Sequence, residues 1–151
     1  MDKTEAPTAS AGRTIDAFLG GKLVLLQPRT GYRAGLDAVL LAATVPAGKG
    51  AIIADLGAGV GTVGLSAVTR VSSLHAVLVE RDASLAALAC DNIARNNLGP
   101  RADLIVADFE IQPAAELEAL GLAADRFDHV VANPPFQIEG NGRNPPDPLK
   151  A

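Results

Sequence analysis

Ala51-Ile52-Ile53-Ala54-Asp55-Leu56-Gly57-Ala58-Gly59-Val60-Gly61-Thr62-Val63-Gly64 is the stretch on which the reading of this chain turns. A four-residue apolar run stops at an acid, Gly57, Gly59 and Gly61 follow at alternate positions, and a segment with helical spacing begins at Thr62. The run does not alternate apolar with polar, so it suits a strand buried on both faces. The same unit recurs downstream. Residues 76–79 end at Glu80, 104–107 end at Asp108, and His129–Ala132 ends at Asn133, with starts 25, 28 and 25 residues apart. Those intervals are close to the ~30 residues of a strand–helix–strand unit. The spacing between them predicts helices over Thr62–Arg70, 84–96 and about 113–122, with Asp82 as N-cap of the second and Gly99-Pro100 closing it off.

The expected architecture is α/β: a Rossmann-like, doubly wound parallel sheet with at least four strands. Upstream, residues 20–28 read as a short strand between a glycine turn and a proline stop, and 29–35 as a loop. Leu36–Thr44 reads as a helix that stops before Pro46 and Gly48. Residues 1–13 are polar and read as a disordered lead-in to a single domain over 14–151.

Composition narrows the function. At 151 residues, 48% apolar and 20% charged, the chain makes one ordered domain, and no apolar run approaches the ~18 residues of a membrane span. A lone cysteine, Cys90, excludes a disulfide framework and points to a reducing cytoplasm; it falls at an apolar helix position and reads as packing. With only His75 and His129, far apart, no metal is expected. A net charge of −4 and few aromatics argue against a module that holds nucleic acid by general basicity or by base stacking.

All four strands end on a polar side chain, at the sheet edge where open α/β folds bind ligands. The first turn alone leaves two readings open. Gly59, Gly61 and Gly64 match the spacing of a dinucleotide fingerprint, and Glu80, 21 residues after Gly59, stands where a ribose-binding acid belongs. Asp55, however, puts negative charge where a pyrophosphate would sit and suits an ammonium or sulfonium ligand. The tetrapeptide Asn133-Pro134-Pro135-Phe136 has no task in hydride transfer. It has one if the substrate is a planar nitrogen. The Asn133 side-chain oxygen and the Pro134 carbonyl can take both N–H protons of an amine and free its lone pair, while Phe136 stacks on the planar group.

These residues resemble the class I S-adenosylmethionine-dependent methyltransferases that act on amine nitrogens. The stretch from Gln27 through Arg33, Gly35 and Asp37 to Ala42 is similar to the bacterial valine-tRNA adenine-N6 methyltransferase type. The resemblance implies that Asp55, Gly57, Ala58, Gly59 and Gly61 hold the methionine part of S-adenosylmethionine, closed off by Arg33, Gly35 and Asp37. It implies that Glu80, beside Arg81, takes the ribose hydroxyls, that Asp108 takes the adenine amine alongside Phe109, and that Asn133, Pro134, Pro135 and Phe136 grip the target nitrogen. The products are the methylated amine and S-adenosylhomocysteine. Adenine N6 in tRNA or another structured RNA is the first expectation for the acceptor, with Lys22, Arg29 and Arg33 as a local basic cluster.

The glutamine amide of a protein offers the same two N–H donors and is the chief alternative. Members of the resembled family carry three further strands after the Asn-Pro-Pro motif, so the sheet is expected to be incomplete at its C-terminal side and the chain to be a truncated form. A truncated cofactor-binding module without activity is the reading from another class, and a nicotinamide dehydrogenase stands third. Truncation is also expected to leave the 51–54 strand at an exposed edge, open to self-association.

Overall fold

The computed structural model describes residues 12–31, 33–46 and 48–134. The apolar runs become a four-stranded parallel sheet of β3 (Ile52–Leu56), β4 (His75–Glu80), β5 (Ala102–Val106) and β6 (His129–Ala132), in the order β5-β4-β3-β6. From β3 the chain steps outward to β4 and β5, then returns to lay β6 on the other side of β3. The reversal falls between β3 and β6, and the register sets Asp55 level with Val131 and Leu56 level with Ala132.

Helices cover both faces because each strand is apolar on both. On one face Ile53, Ala76 and Leu78 pack with Leu65 and Val68 of α2 (Thr62–Arg70) and Ala89 and Ile93 of α3 (Ala83–Arg95). Ala38 and Ala42 of α1 (Leu36–Thr44) join the same cluster. On the other, Val77, Val79 and Ala107 meet Leu117 of α4 (Ala114–Ala119), Leu122 and Phe127. The Asp82 carboxylate caps α3 by accepting from the backbone N–H of Ser84 and Leu85; the Ser84 hydroxyl first, and then these N–H groups, hold its pKa below the usual carboxylate value. Helix α4 is shorter than the 113–122 read from sequence.

Two expectations are corrected, those for the 51–54 strand and for Cys90. The first strand of the repeat is not at an edge: β3 lies between β4 and β6, and among the described residues the open edges are β5 and β6, where Val130 is 58% exposed. Asp128, just ahead of β6, pins that strand to β3: its carboxylate accepts from Ile52 N–H and its own N–H donates to the Ile52 carbonyl. Cys90 is exposed rather than packed. The strand read within 20–28 is present as β2 (Leu23–Pro28), and it is half of a ribbon: β1 (Arg13–Phe18) runs antiparallel to it, pairing Arg13 with Pro28 and Phe18 with Leu23. Residues 1–11 of the expected lead-in lie outside the described residues. No helix among the described residues is long and apolar enough to cross a membrane.

The ribbon is held to the domain by two asparagines one helical turn apart on α3. The fully buried Asn92 accepts from Leu26 N–H at 2.7 Å and donates to the carbonyls of Leu26 and Val60 at 3.1 and 3.0 Å. Asn96 does the same to Val24, accepting from its N–H at 2.9 Å and donating to its carbonyl at 2.8 Å. The two amides thus stand in for the strand that β2 lacks on that side, satisfying a backbone that would otherwise be buried unpaired. Each buried group left without a partner costs about 1–3 kcal/mol. Asn92→Leu is expected to lower stability in urea denaturation by about 3 kcal/mol, and Asn96→Ala by about 1 kcal/mol. Equal, negligible losses would mean that apolar packing alone holds the ribbon.

Candidate functional site

The cleft opens at the carboxyl ends of β3 and β6, where the strand order reverses, as open α/β sheets lead one to expect. Its volume is about 430 Å³, within the range of small-molecule sites. Asp55, Gly57, Ala58 and Gly59 form its floor; Glu80, Arg81, Asp108 and Phe109 one wall; Asn133 and Pro134 the opposite end. Arg33, Gly35, Asp37 and Gly61 do not line it. Pro135 and Phe136 lie outside the described residues.

The floor is built by glycine. Gly57 and Gly59 have φ of +68° and +58°, and a side chain at either would project into open space. The turn is anchored beneath by N–H groups of Gly57 and Ala58, which donate to the Val79 carbonyl at 2.9 and 3.0 Å. Gly64 serves another purpose: a Cβ there would collide with Leu78, so its absence lets α2 lie against β4.

Asp55 is 1% exposed. Its Oδ2 accepts from Gly64 N–H at 2.8 Å, tying the end of β3 to the first turn of α2. Burial pushes its carboxyl up to about 7; the Gly64 bond opposes the rise and the nearby Glu80 charge adds to it. Glu80 bridges two backbones: Oε2 accepts from Gly59 N–H at 2.7 Å and Oε1 from Asp82 N–H at 2.8 Å. On the far wall Arg81 spans Asp108 and Glu110 at 3.5 and 3.2 Å, and Phe109 stands 44% exposed beside them.

At the other end, Asn133 Nδ2 donates to Asp37 Oδ2 at 2.6 Å, which brings Asp37 to the end of β6. Arg33 is drawn to Asp16 at 2.7 Å. The basic cluster is not assembled, because Lys22 and Arg29 flank β2 at opposite ends, roughly 23 Å apart by strand rise. Sequence reading missed Thr62 and Gln27. Thr62 lines the cleft with its hydroxyl buried and without a hydrogen-bond partner among the described residues. Its place directly after the glycine turn was the available signal. Gln27 is buried, accepts from Ala34 N–H at 3.0 Å and had no signal in the sequence. Among the described residues there is no group of three or more His, Cys, Asp or Glu side chains placed to hold a metal.

Residues 34–144 match the family model described as the methyltransferase small domain. The chain belongs to that family. It is 32% identical over 104 residues to a Bacteroides fragilis protein named tRNA1(Val) (adenine(37)-N6)-methyltransferase, covering 69% of this chain and 41% of the relative. It is 36% identical over 111 residues to a Shewanella putrefaciens protein of the same name, covering 73% and 44%. The chain therefore spans less than half the length of these relatives. Among solved structures it is similar to a protein from Agrobacterium tumefaciens described as a predicted O-methyltransferase, at 33% identity and a TM-score of 0.59, covering 66% of this chain and 49% of the other.

S-adenosylmethionine is the cofactor that this family membership brings, and the cleft fits it. A buried acid, Asp55, lines the cleft and can counter a cation, the open space above Gly57 and Gly59 admits a close approach, and the Thr62 hydroxyl offers a donor without a partner among the described residues. A cation selects the ionised form of Asp55. With that carboxyl near 7, about nine-tenths of the free protein is protonated there at pH 6. S-adenosylmethionine affinity is expected to rise about tenfold from pH 6 to pH 8 and then level off, and to lose that slope in Asp55→Asn. Stability of the free chain moves the other way. The native carboxyl holds its proton more tightly than the unfolded one, so stability falls as pH rises from about 4 to about 7. Calorimetry across that range checks both; a flat binding profile would show that Asp55 does not face the cation.

Proposed function

We propose that this chain is the cofactor-binding part of a methyltransferase that transfers the methyl group of S-adenosylmethionine to an exocyclic amine, the N6 of an adenine in tRNA. The observation that carries the reading is the position of Asn133 and Pro134. They follow β6 directly, the last pair of the β3–β6 register is Leu56 with Ala132, so the glycine turn and Asn133 leave the sheet from neighbouring strand ends, and Asn133 and Pro134 line the same cleft as Asp55. An amide oxygen and a proline carbonyl are two acceptors without a competing backbone N–H, and an exocyclic amine has two protons to give. A hydroxyl acceptor has only one, which favours nitrogen over oxygen. The names of the Bacteroides and Shewanella relatives support adenine in tRNA as the acceptor.

The cofactor supplies an electrophilic methyl on sulfur, displaced in line. The residues of the chain then have three tasks. Asp55, Gly57 and Gly59 fix the cofactor, Glu80 and Asp108 present carboxylates to its polar groups, and Asn133 with Pro134 hold the nitrogen on the opposite side. Rate in such a displacement comes chiefly from positioning two partners and excluding water. The acceptors at Asn133 and Pro134 also bond more strongly as the nitrogen gains positive character, so they favour the transition state over the bound substrate.

The test is methyl transfer from labelled S-adenosylmethionine to tRNA, with the modified nucleoside identified by mass spectrometry and glutamine peptides assayed in parallel. N6-methyladenosine is the expected product. Asn133→Ala should lower kcat by about 10²–10³ with little change in cofactor affinity. Label in a peptide amide, or in any atom of the nucleoside other than N6, would overturn the assignment of acceptor.

A further inference from the structure

The Asp37 carboxylate is held in a particular place. Its Oδ2 accepts from the Asn133 side chain at 2.6 Å, and on its other side Oδ1 lies over Gly35, where a Cβ would come within 2.9 Å. Gly35 has a φ of −117°, which any residue can adopt, so the backbone itself does not require glycine. What a side chain there would meet is Asp37 Oδ1, which would have to shift from its present place. The glycine and the acid, two residues apart at the start of α1, together deliver a carboxylate to the end of β6, 96 residues further along the chain.

That delivery settles the orientation of the Asn133 amide. An amide turned by 180° about its last bond swaps a donor for an acceptor, and in most surroundings the two states differ little in energy. Here they differ, although the pair lies at the exposed rim. With Nδ2 toward Asp37 the contact is a short, charge-assisted hydrogen bond; with Oδ1 toward Asp37 it is oxygen against anionic oxygen. The amide oxygen is consequently kept on the side away from Asp37. We propose that Asp37, seated over Gly35, is a positioning residue that holds the Asn133 amide with its oxygen turned to accept from the target nitrogen. This rests on the reaction proposed above, and it takes Asp37 away from the methionine end of the cofactor, where the family resemblance put it.

Four variants of the full chain test this: Asp37→Ala, Asp37→Asn, Gly35→Ala and the double variant Gly35→Ala/Asp37→Ala. Each is assayed for cofactor affinity by calorimetry and for kcat on tRNA. Misplacing a reacting group by about 1 Å costs on the order of a hundredfold in rate. Asp37→Ala is therefore expected to lower kcat by about ten- to a hundredfold with S-adenosylmethionine affinity within about twofold of wild type. Asp37→Asn keeps a carbonyl that accepts from Asn133 and should recover most of the rate. Gly35→Ala should fold normally, displace the carboxylate and lower kcat, and the double variant should be no slower than Asp37→Ala alone.

A loss of cofactor affinity with kcat unchanged would return Asp37 to the cofactor and overturn the proposal, as would full activity in Asp37→Ala. A second readout is independent of turnover. The Asn133 side-chain N–H resonance, assigned with Asn133→Ala, should lie downfield in the wild type and move back in both Asp37→Ala and Gly35→Ala. If the wild type methylates no RNA, the proposed reaction fails while this resonance still decides the pairing. An Asn133 resonance that does not move in either variant overturns the pairing whatever the activity.

Discussion

One hydrogen bond organises the cleft: the buried Asp55 carboxylate accepting from the backbone N–H of Gly64. It joins the end of β3 to the first turn of α2 across the glycine turn, and it can form only because α2 lies directly against β4. A side chain at residue 64 would meet Leu78 on one side and Asp55 itself on the other. The glycine therefore does two things at once, clearing the sheet and offering its N–H to the acid. The positive end of the α2 dipole lies at the same point, which favours charge on the carboxylate. Burial opposes it, and the balance leaves the group near 7. A carboxyl this close to neutrality is one whose ionisation a neighbouring cation would favour.

The acids around the cleft divide between structure and ligand. Glu80 spends one lone pair of each oxygen on backbone N–H groups, of Gly59 and of Asp82, and so locks the glycine turn to the cap of α3. A carboxylate has about four acceptor sites, so this leaves capacity for further donors without releasing the turn. Asp108 is arranged in the same manner: Oδ1 accepts from Glu110 N–H at 3.0 Å, and Arg81 lies 3.5 Å from Oδ2. Each acid is thus set in place by backbone N–H groups, Glu80 by two different turns and Asp108 by its own loop together with Arg81.

The parallel strands were legible because each is a continuous apolar run ending on a polar residue, and burial on both faces leaves that mark in any sequence. Helices α1 and α2 were equally legible, bounded by Gly35 and Gly61 at one end and by Val45 and Val71 at the other. The order of the strands was not. Nothing in the interval between β5 and β6 says on which side of β3 the returning chain will settle, so the expectation that β3 would be an edge failed. Strand β1 was hidden for another reason. Arg13-Thr14-Ile15-Asp16-Ala17-Phe18 mixes polar and apolar residues, as a strand with no fully buried face does. The site followed the same division. Residues at strand ends came together as expected, whereas those that depend on a contact between distant segments, Gln27, Asn92 and the Asp37–Asn133 pair, carry no local signature.

Those distant contacts form a polar path around the cleft. Asp16 Oδ2 gathers hydrogen bonds from Thr14, Gln27 and Arg33, at 2.8, 2.9 and 2.7 Å. Gln27 in turn accepts from Ala34 N–H, so the loop between β2 and α1 is tied at two successive residues to the ribbon. That loop leads directly into Gly35 and Asp37, and Asp37 reaches across to Asn133 at the end of β6. The ribbon itself is clamped to α3 by Asn92 and Asn96. Each link satisfies a backbone or side-chain group at the margin of the core, where apolar packing would fix distance but not direction. Hydrogen bonds fix direction. The chain uses apolar contacts to build the sheet and polar ones to aim the residues at its rim, and the aim of Asn133 is the last consequence of a network that begins at Asp16.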